Sequence, residues 1–331
     1  MRDAANTRAI YLAQGAEHTI MQYRRLGTSG LKLSEISVGS WLITRGAEAE
    51  QAQQAVRRAY ELGVNHFDSA ANYGRRPHDS EEALGAILRE FPRHTYTVTS
   101  KMFWPVGPST YERGLSRKTI FDQVHLSLKA LQMDYIDLFY CHRFDPETDP
   151  EETLRALDDL VAHGKLLYWG VSDWSAAQLE HAMAIVDRRN LHRPVAHQPE
   201  YNMLARRIEA EVMPVTARAG MGIIAYSPLA MGLLSGKYKP NEPAPAGSRP
   251  TFVSFFNKNQ SDWEKVQRLR PVAERNGLTL PQLALAWILR RPEVTSALIG
   301  ASRPEQVEEN IKALGVQIGS DDLAEIEQIL A

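Results

Sequence analysis

The chain has 331 residues and a mass of 37.2 kDa, and its 38 Lys and Arg residues nearly balance its 40 Asp and Glu residues. This near-neutral charge argues against a protein that binds nucleic acid by neutralising phosphates. Hydrophobic residues make up 44% and charged residues 24% of the chain, a globular composition that excludes wholesale disorder. The single cysteine, Cys141, excludes an intrachain disulfide and a cysteine-rich metal cluster, and is typical of a cytoplasmic protein.

The ordered sequence pattern begins after Met21. Residues 1–20 carry charges of both signs and lack the continuous apolar run of a signal peptide. We expect them to form a flexible extension, or Met21 to be the natural start, and we expect residues 21–331 to fold as one domain. The longest apolar-rich stretch, 222–236, falls short of the roughly 20 residues that a membrane span needs, so no membrane partner is expected.

Eight short runs rich in β-branched and aromatic residues alternate with segments of helical periodicity. The predicted strands are 36–41, 65–70, 96–101, 136–142, 166–172, 195–201, 222–227 and 295–300. The clearest predicted helices are 80–91, behind the N-cap residues Asp79 and Ser80, 118–132 and 152–163. Eight strand–helix units in about 270 residues fit a closed α/β barrel of the (β/α)8, or TIM, type. A doubly wound sheet is the alternative, but no G-x-G-x-x-G turn follows the first strand.

Three connecting segments stand out. Residues 22–34, with a turn at 27–30, predict a β-hairpin that covers the bottom of the barrel. Long loops are predicted at 102–117 and 228–261, after the third and seventh strands. Loops of this length at the carboxyl ends of barrel strands are usually lids or binding segments, although disordered decoration is the alternative.

Polar side chains appear at the carboxyl ends of the predicted strands, where barrel enzymes build their active sites. Asp68 ends the second strand, and Tyr73 follows it in the loop. Lys101 ends the third strand and His142 ends the fourth. Each has an ordinary structural explanation by itself: a loop cap, a packing ring, a solvated strand end or a buried histidine. Their joint placement predicts four titratable groups at one mouth.

Such a set suits protonation of a carbonyl oxygen. The pKa of a tyrosine is about 10, too high for acid catalysis at neutral pH, and an ammonium close to Tyr73 would lower it. The carboxylate of Asp68 would keep Lys101 charged. A histidine such as His142 would polarise and orient the carbonyl.

Two other chemistries remain open at this point. His66 and Asp68 share one face of a strand and could line a metal site with His142 and His197. Lys101 could form a Schiff base with a carbonyl substrate. The sequence contains no H-E-x-x-H pair, the pattern of a strong metal site, and we expect no metal.

Longer motifs resemble a known family. They are 65–70 (NHFDSA) with Tyr73–Gly74, 80–85 (SEEALG), Asp145–Pro146, 151–157 (EETLRAL), 226–229 (YSPL) and 300–303 (GASR). From about residue 22 to residue 330 the sequence is similar to the aldo-keto reductases. The resemblance implies NADPH-dependent reduction of aldehydes or ketones on a (β/α)8 barrel. It also implies a catalytic tetrad of Asp68, Tyr73, Lys101 and His142.

Within that family, three further motifs resemble one branch. They are 112–118 (ERGLSRK), 168–175 (YWGVSDWS) and 236–238 (GKY). The branch contains voltage-gated potassium channel β subunits and bacterial glyceraldehyde-phosphate and methylglyoxal reductases. The channel subunits usually carry asparagine where this chain has His142, so the resemblance favours a working reductase. The alternative it implies is a redox-sensing accessory subunit that holds NADPH and turns over slowly, and it implies a homo-oligomer of four or more chains.

The resemblance also divides the remaining site residues. The cofactor-binding set that it implies is Ser40, Trp41, Asp68, Ser172, Gln198, Tyr226, Ser227, Pro228, Leu229, Gly232, Lys237, Arg249, Gly300, Ser302, Gln306, Glu309 and Asn310. Lys237 and Arg249 would hold the 2′-phosphate, a dianion that favours ammonium and guanidinium groups. The substrate pocket is expected to contain Trp41, Met102, Phe103, Trp104 and Phe144. Asp173 departs from the family pattern, in which Asn or Arg is more usual. A carboxylate can accept a hydrogen bond from the carboxamide NH2 but cannot donate one to its oxygen.

Overall fold

The computed structural model describes residues 21–45, 48–238 and 260–331. An antiparallel hairpin comes first, formed by β1 (Tyr23–Arg25) and β2 (Lys32–Ser34). The barrel strands are β3 (Ile36–Gly39), β4 (His66–Asp68), β5 (Thr97–Met102), β6 (Ile136–Cys141), β7 (Leu166–Ser172), β8 (Ala196–Gln198), β9 (Gly222–Tyr226) and β10 (Val294–Ile299). Each pairs in parallel with the next, and β10 pairs with β3, which closes the barrel. The predicted (β/α)8 barrel is confirmed.

Helices follow the strands around the outside of the barrel. In the described part of the chain they are α1 (Ala49–Glu61), α2 (Asp79–Leu88), α3 (Arg117–Leu131), α4 (Pro150–Ala162), α5 (Ala176–Arg189), α6 (Val212–Ala219), α7 (Gln260–Arg275), α8 (Leu280–Leu289), α9 (Pro304–Ile311) and α10 (Ser320–Leu330). Their apolar faces and the outward side chains of the strands form one large buried cluster. None of the helices in these described ranges is both long and apolar enough to cross a membrane.

The hairpin closes the amino-terminal end of the barrel, as predicted. Leu26 and Leu33 are completely buried in a second cluster with inward-facing strand residues, including Tyr140. The turn needs a glycine at position 27, because φ is +56° there and a Cβ would lie 2.1 Å from the oxygen of Gly220, immediately before β9. Because the bottom of the barrel is sealed in this way, a ligand must enter from the carboxyl ends of the strands.

Several predicted boundaries shift at the ends of elements. The first barrel strand stops at Gly39, and residues 40–42, partly predicted as strand, form a 3-10 turn. Helix α2 begins at Asp79 behind His78, which has φ of 60° and makes no side-chain cap. The predicted capping by Asp79 is therefore wrong: its Oδ2 accepts the N–H of Arg75 at 2.9 Å and so closes the preceding loop instead.

Both long loops emerge at the carboxyl end of the barrel. The loop after β5 contains a 3-10 turn, Thr110–Glu112, which Ser109 caps through a capping box. The loop after β9 begins with another 3-10 segment, Ala230–Ser235. Residues 239–259 of this loop, like residues 1–20 with their expected extension, lie outside the described ranges. The connection from β8 to α6, residues 199–211, is also long.

Candidate active site

A buried ion pair lies at the carboxyl end of β4 and β5. Lys101 Nζ pairs with Asp68 Oδ1 and donates to the oxygen of Ser69 at 2.8 Å. The two side chains are 0% and 1% exposed. Burial alone would lower the pKa of Lys101, but the charges of Asp68 and Tyr73 outweigh it and raise that pKa above its usual value. The amine is therefore held as an ammonium.

The hydroxyl of Tyr73 completes a line of three groups. Lys101 Nζ lies 3.3 Å from this hydroxyl and 4.7 Å from the centre of the tyrosine ring. Burial raises the pKa of Tyr73 above its usual value, while Lys101 acts in the opposite direction. Lys101 acts on this pKa in the expected direction, but the net direction is upward because burial penalises the phenolate more than Lys101 favours it.

His142 lies directly after β6 and contacts the ring of Tyr73. The two rings meet edge to face, with centroids 5.8 Å apart and planes at 75°. Burial lowers the pKa of His142 well below its usual value, and Lys101 and Arg143 lower it further. The imidazole is therefore neutral at pH 7. Its Nδ1 is buried and has no hydrogen-bond partner within the described part of the chain.

Two more of the predicted residues, Ser172 on β7 and Gln198 on β8, support the ion pair between Lys101 and Asp68. Gln198 Nε2 donates to the second oxygen of Asp68 at 3.0 Å. Ser172 Oγ donates to the backbone oxygen of Gln198 at 2.7 Å and lies 3.3 Å from Arg143 Nη1. Both carboxylate oxygens of Asp68 are thus held by the protein.

The geometry disfavours the two other chemistries. The ring nitrogens of His66 already contact hydroxyls, Nδ1 with Ser37 Oγ at 2.8 Å and Nε2 with Thr99 Oγ1 at 2.6 Å. Burial lowers the pKa of His66 to about 4. Within residues 21–45, 48–238 and 260–331 no group of three His, Cys, Asp or Glu side chains is placed to hold a metal. A Schiff base needs a neutral amine, whereas Lys101 is kept charged.

The backbone after β9 has an unusual conformation. Ser227, Ala230 and Met231 have φ values of 50°, 47° and 54°, and Gly232 follows with 99°. Residues other than glycine rarely adopt such values, and strained backbone of this kind concentrates at ligand sites. Successive N–H groups in such segments form concavities for anions. Pro228 and Leu229 lie within this segment, and the exposed cation Lys237 follows five residues after Gly232. This combination suits a pyrophosphate.

A second set of predicted cofactor residues follows β10, before and along α9. Gln306 Oε1 accepts the N–H of Ser302 at 2.8 Å. Glu309 Oε2 accepts from Gln282 at 3.0 Å, and Asn310 is 6% exposed. Gly300 directly follows β10. The predicted phosphate ligand Arg249 lies outside the described residues.

The predicted pocket residues divide into two groups. Trp104 is 41% exposed and meets His142 edge to face at 6.5 Å, and Phe103 packs on Trp104 at 5.1 Å. Met102 does not belong with them. It follows Lys101 and therefore faces the other side of β5, where it is 1% exposed in the outer core. This position does not favour the pocket role predicted for Met102.

The other two pocket residues lie on neighbouring loops. Phe144 packs on Trp174, with ring centroids 5.0 Å apart. Trp41 lies in the 3-10 turn after β3, near Ser40, and the guanidinium of Arg45 lies 4.7 Å above its ring. The sequence analysis did not single out Arg45 or Arg143. The position of Arg143 directly after His142 was the only signal that could have identified it.

Comparisons with known proteins agree with this geometry. The aldo/keto reductase family matches residues 35–331. A probable voltage-gated potassium channel subunit beta of Arabidopsis thaliana is 41% identical over 306 residues, 89% of this chain and 92% of the relative. One from Oryza sativa subsp. japonica is 40% identical with the same coverage, and a putative one from Schizosaccharomyces pombe is 39% identical over 325 residues, 93% of each chain. Members of the matching family are generally NAD(P)-dependent oxidoreductases. The predicted resemblance is confirmed: the chain belongs to the aldo/keto reductase family.

Proposed function

We propose that this protein reduces small aldehydes or ketones to alcohols, with NADPH as the reductant and Tyr73 as the proton donor. The observation that carries the proposal is the line of Asp68, Lys101 and Tyr73 at the carboxyl end of the barrel, with Lys101 Nζ 3.3 Å from the phenol. An ammonium between a carboxylate and a phenol suits a site in which the phenol must lose its proton during the reaction.

The residues have complementary roles in this mechanism. When bound, NADPH supplies the hydride that reaches the carbonyl carbon. Tyr73 carries its proton at neutral pH, since its pKa lies above its usual value, and the ammonium of Lys101 favours release of that proton to the carbonyl oxygen. Lys101 stabilises the phenolate that remains, and Asp68 keeps Lys101 charged. The phenolate regains its proton from water before the next cycle.

His142 would orient the substrate. Its imidazole is neutral because its pKa is lowered well below the usual value, so one ring nitrogen carries a hydrogen and can donate to a carbonyl oxygen without adding a charge. The ring lies edge to face with Tyr73, which suits two donors that converge on one oxygen atom. Trp104 and Phe103 would form the apolar side of the substrate pocket, with Trp41 and Phe144 at its borders.

Several segments would hold the cofactor. Tyr226 would stack on the nicotinamide, and Ser172 and Gln198 would contact its carboxamide. The strained loop 227–232 would receive the pyrophosphate, and Lys237 and Arg249 the 2′-phosphate. The remaining predicted contacts are Ser40, Trp41, Gly300, Ser302, Gln306, Glu309 and Asn310.

Transfer of an isotope label tests the proposal. NADPH that carries deuterium at the transferring position of the nicotinamide is mixed with the protein and a panel of small aldehydes. We expect the alcohol product to carry one deuterium on the former carbonyl carbon, detected by mass spectrometry. An alcohol without deuterium, or no alcohol from any member of the panel, would contradict the proposed reaction.

The names of the relatives support a second candidate function. The three relatives described above are named as channel subunits. An accessory subunit of this kind would hold NADPH tightly in a homo-oligomer of four or more chains and turn over slowly. The number of NADPH molecules oxidised per chain distinguishes the two functions, since the reductase oxidises many and the accessory subunit about one.

A further inference from the structure

Asp173 is held in an unusual position directly after β7. Its φ is 53°, a left-handed value that is uncommon for residues other than glycine. The side chain is only 8% exposed, and its backbone N–H donates to the oxygen of Gln198 at 3.3 Å. A buried carboxylate in a strained backbone position costs free energy unless its surroundings compensate for it.

Four donors from three other segments surround the carboxylate. Oδ2 accepts from the hydroxyl of Tyr226 at 2.7 Å and lies 3.0 Å from Arg143 Nη2. Oδ1 accepts the N–H of Glu200 at 3.2 Å and lies 3.5 Å from Arg207 Nη2. A carboxylate offers about four acceptor positions. The protein itself therefore occupies the hydrogen-bonding capacity of Asp173 and leaves little for a cofactor carboxamide.

We propose that Asp173 is a positioning residue that fixes the ring of Tyr226 as the surface on which the nicotinamide rests, and that it does not itself contact the cofactor. This inference rests on the proposed function, because it assumes that a nicotinamide binds at this mouth. It assigns a role to the residue that departs from the family pattern.

Tyr226 is anchored at both ends by this arrangement. Its backbone N–H donates to the oxygen of Pro199 at 3.0 Å, and its oxygen accepts the N–H of Tyr201 at 3.3 Å. The hydroxyl at the far end of the side chain reaches Asp173. A ring held at both ends loses little conformational freedom when a ligand stacks on it, so that the entropic cost of binding is reduced.

The same carboxylate also balances the cations at the mouth. Arg143 lies between Asp173 and Trp104, with its guanidinium 5.7 Å from the centre of the indole ring. It also donates to the backbone oxygen of His142 at 2.5 Å. Asp173 thus connects Arg143, which directly follows His142, to the ring of Tyr226, which would carry the nicotinamide.

A double-mutant cycle tests the inference. The variants are Asp173→Asn, Tyr226→Phe and the double variant, and Asp187→Asn serves as a control because its side chain is 59% exposed and pairs with Arg193 on the surface. The NADP+ affinity is measured by quenching of protein fluorescence, and stability by urea unfolding without cofactor. The steady-state KM and kcat are measured for NADPH and for an aldehyde.

If Asp173 acts through Tyr226, each single variant should bind NADP+ about 10-fold more weakly than the unaltered protein. The double variant should bind NADP+ no more weakly than the single variant with the lower affinity. The KM for NADPH should rise with these losses, while the KM for the aldehyde should stay within about twofold. The unfolding free energies should show the same lack of additivity, and Asp187→Asn should behave as the unaltered protein.

Three outcomes would overturn the inference, and they are distinguishable. An unchanged NADP+ affinity in Asp173→Asn would show that the carboxylate is not needed to position the ring of Tyr226 for the nicotinamide. Additive losses in the double variant would show that it acts on the cofactor separately from Tyr226. If the unaltered protein binds no NADP+, the proposed function is wrong, and this inference is wrong with it. The unfolding measurements without cofactor would in that case report only whether the side chains of Asp173 and Tyr226 are coupled.

Discussion

The amine of Lys101 lies 3.3 Å from the hydroxyl of Tyr73 and forms a buried ion pair with Asp68 on the neighbouring strand. The three side chains come from positions up to 33 residues apart in the sequence and meet only because β4 and β5 are parallel neighbours in the barrel. The chemical state of each group depends on the other two.

Replacing Tyr73 with phenylalanine should remove most carbonyl reduction. A positioned general acid contributes about 10²- to 10⁴-fold, so we expect kcat/KM for an aldehyde to fall by that factor while NADPH still binds. Fluorescence titration measures the binding and loss of nicotinamide absorbance measures the rate. Tyr23→Phe makes the same chemical change in the hairpin at the closed end of the barrel, at a tyrosine that is 49% exposed, and should leave both unchanged. Near-full turnover by Tyr73→Phe would rule out this acid.

Removing the buried cation should destabilise the fold. Lys101→Met leaves the carboxylate of Asp68 buried without its partner, which should cost about 3–5 kcal/mol of unfolding free energy. The double variant Lys101→Met/Asp68→Asn should lose less than the sum of the two single variants, because the removal of both charges avoids an unpaired one. Urea unfolding of the four proteins measures this, and strict additivity would mean that the two charges do not stabilise each other.

Acidification should destabilise the protein through buried histidines. Burial lowers the pKa of His66 and that of His197 to about 4, whereas the unfolded chain binds these protons below about pH 6.5. Between these values the unfolded state binds more protons, so the unfolding free energy falls as the pH falls. Each histidine should account for about 2 kcal/mol between pH 7 and pH 5.

The variant His66→Gln isolates one of these contributions. Its absolute stability will change, because it alters the contacts with Ser37 and Thr99, so the quantity to compare is the pH dependence. Urea unfolding at pH 7 and pH 5 should show a difference that is smaller by about 2 kcal/mol than in the unaltered protein. An identical pH dependence in both proteins would mean that His66 titrates normally in the folded state.

Neutral substitutions at Lys237 and Arg249 should weaken NADPH binding more than NADH binding. Only NADPH carries the 2′-phosphate, and hydrogen bonds from charged donors to phosphate are strong. We expect the double variant Lys237→Met/Arg249→Met to lose about 10- to 100-fold in NADPH affinity and little in NADH affinity. Lys118→Met changes an exposed lysine on α3, paired with Asp122, and should alter neither. Equal losses for both cofactors would argue against a 2′-phosphate site here.

The barrel could be predicted because its signals are local and repeated. Alternating strand and helix patterns are read within windows of about ten residues, and the carboxyl ends of strands identify where polar residues gather. This reasoning placed Asp68, Lys101 and His142 at one mouth. The prediction for Met102 took no account of the alternation of side chains along β5, which turns that residue outward.

The electrostatic details could not be predicted, since they depend on burial and on distant partners. Whether burial or Lys101 dominates the pKa of Tyr73 depends on how much water reaches the phenol. The donors around Asp173 are separated from it by between 27 residues, for Glu200, and 53 residues, for Tyr226. No local pattern specifies such a cluster, so the sequence marked Asp173 as unusual without indicating what holds it.

The most direct test of the central claim is the number of NADPH molecules that each chain oxidises with an excess of a small aldehyde. Loss of nicotinamide absorbance is followed for the unaltered protein and for Tyr73→Phe at equal cofactor occupancy. We expect many turnovers for the unaltered protein and almost none for the variant, although both bind NADPH. One oxidation or fewer per chain in the unaltered protein, or equal rates in both, would contradict it.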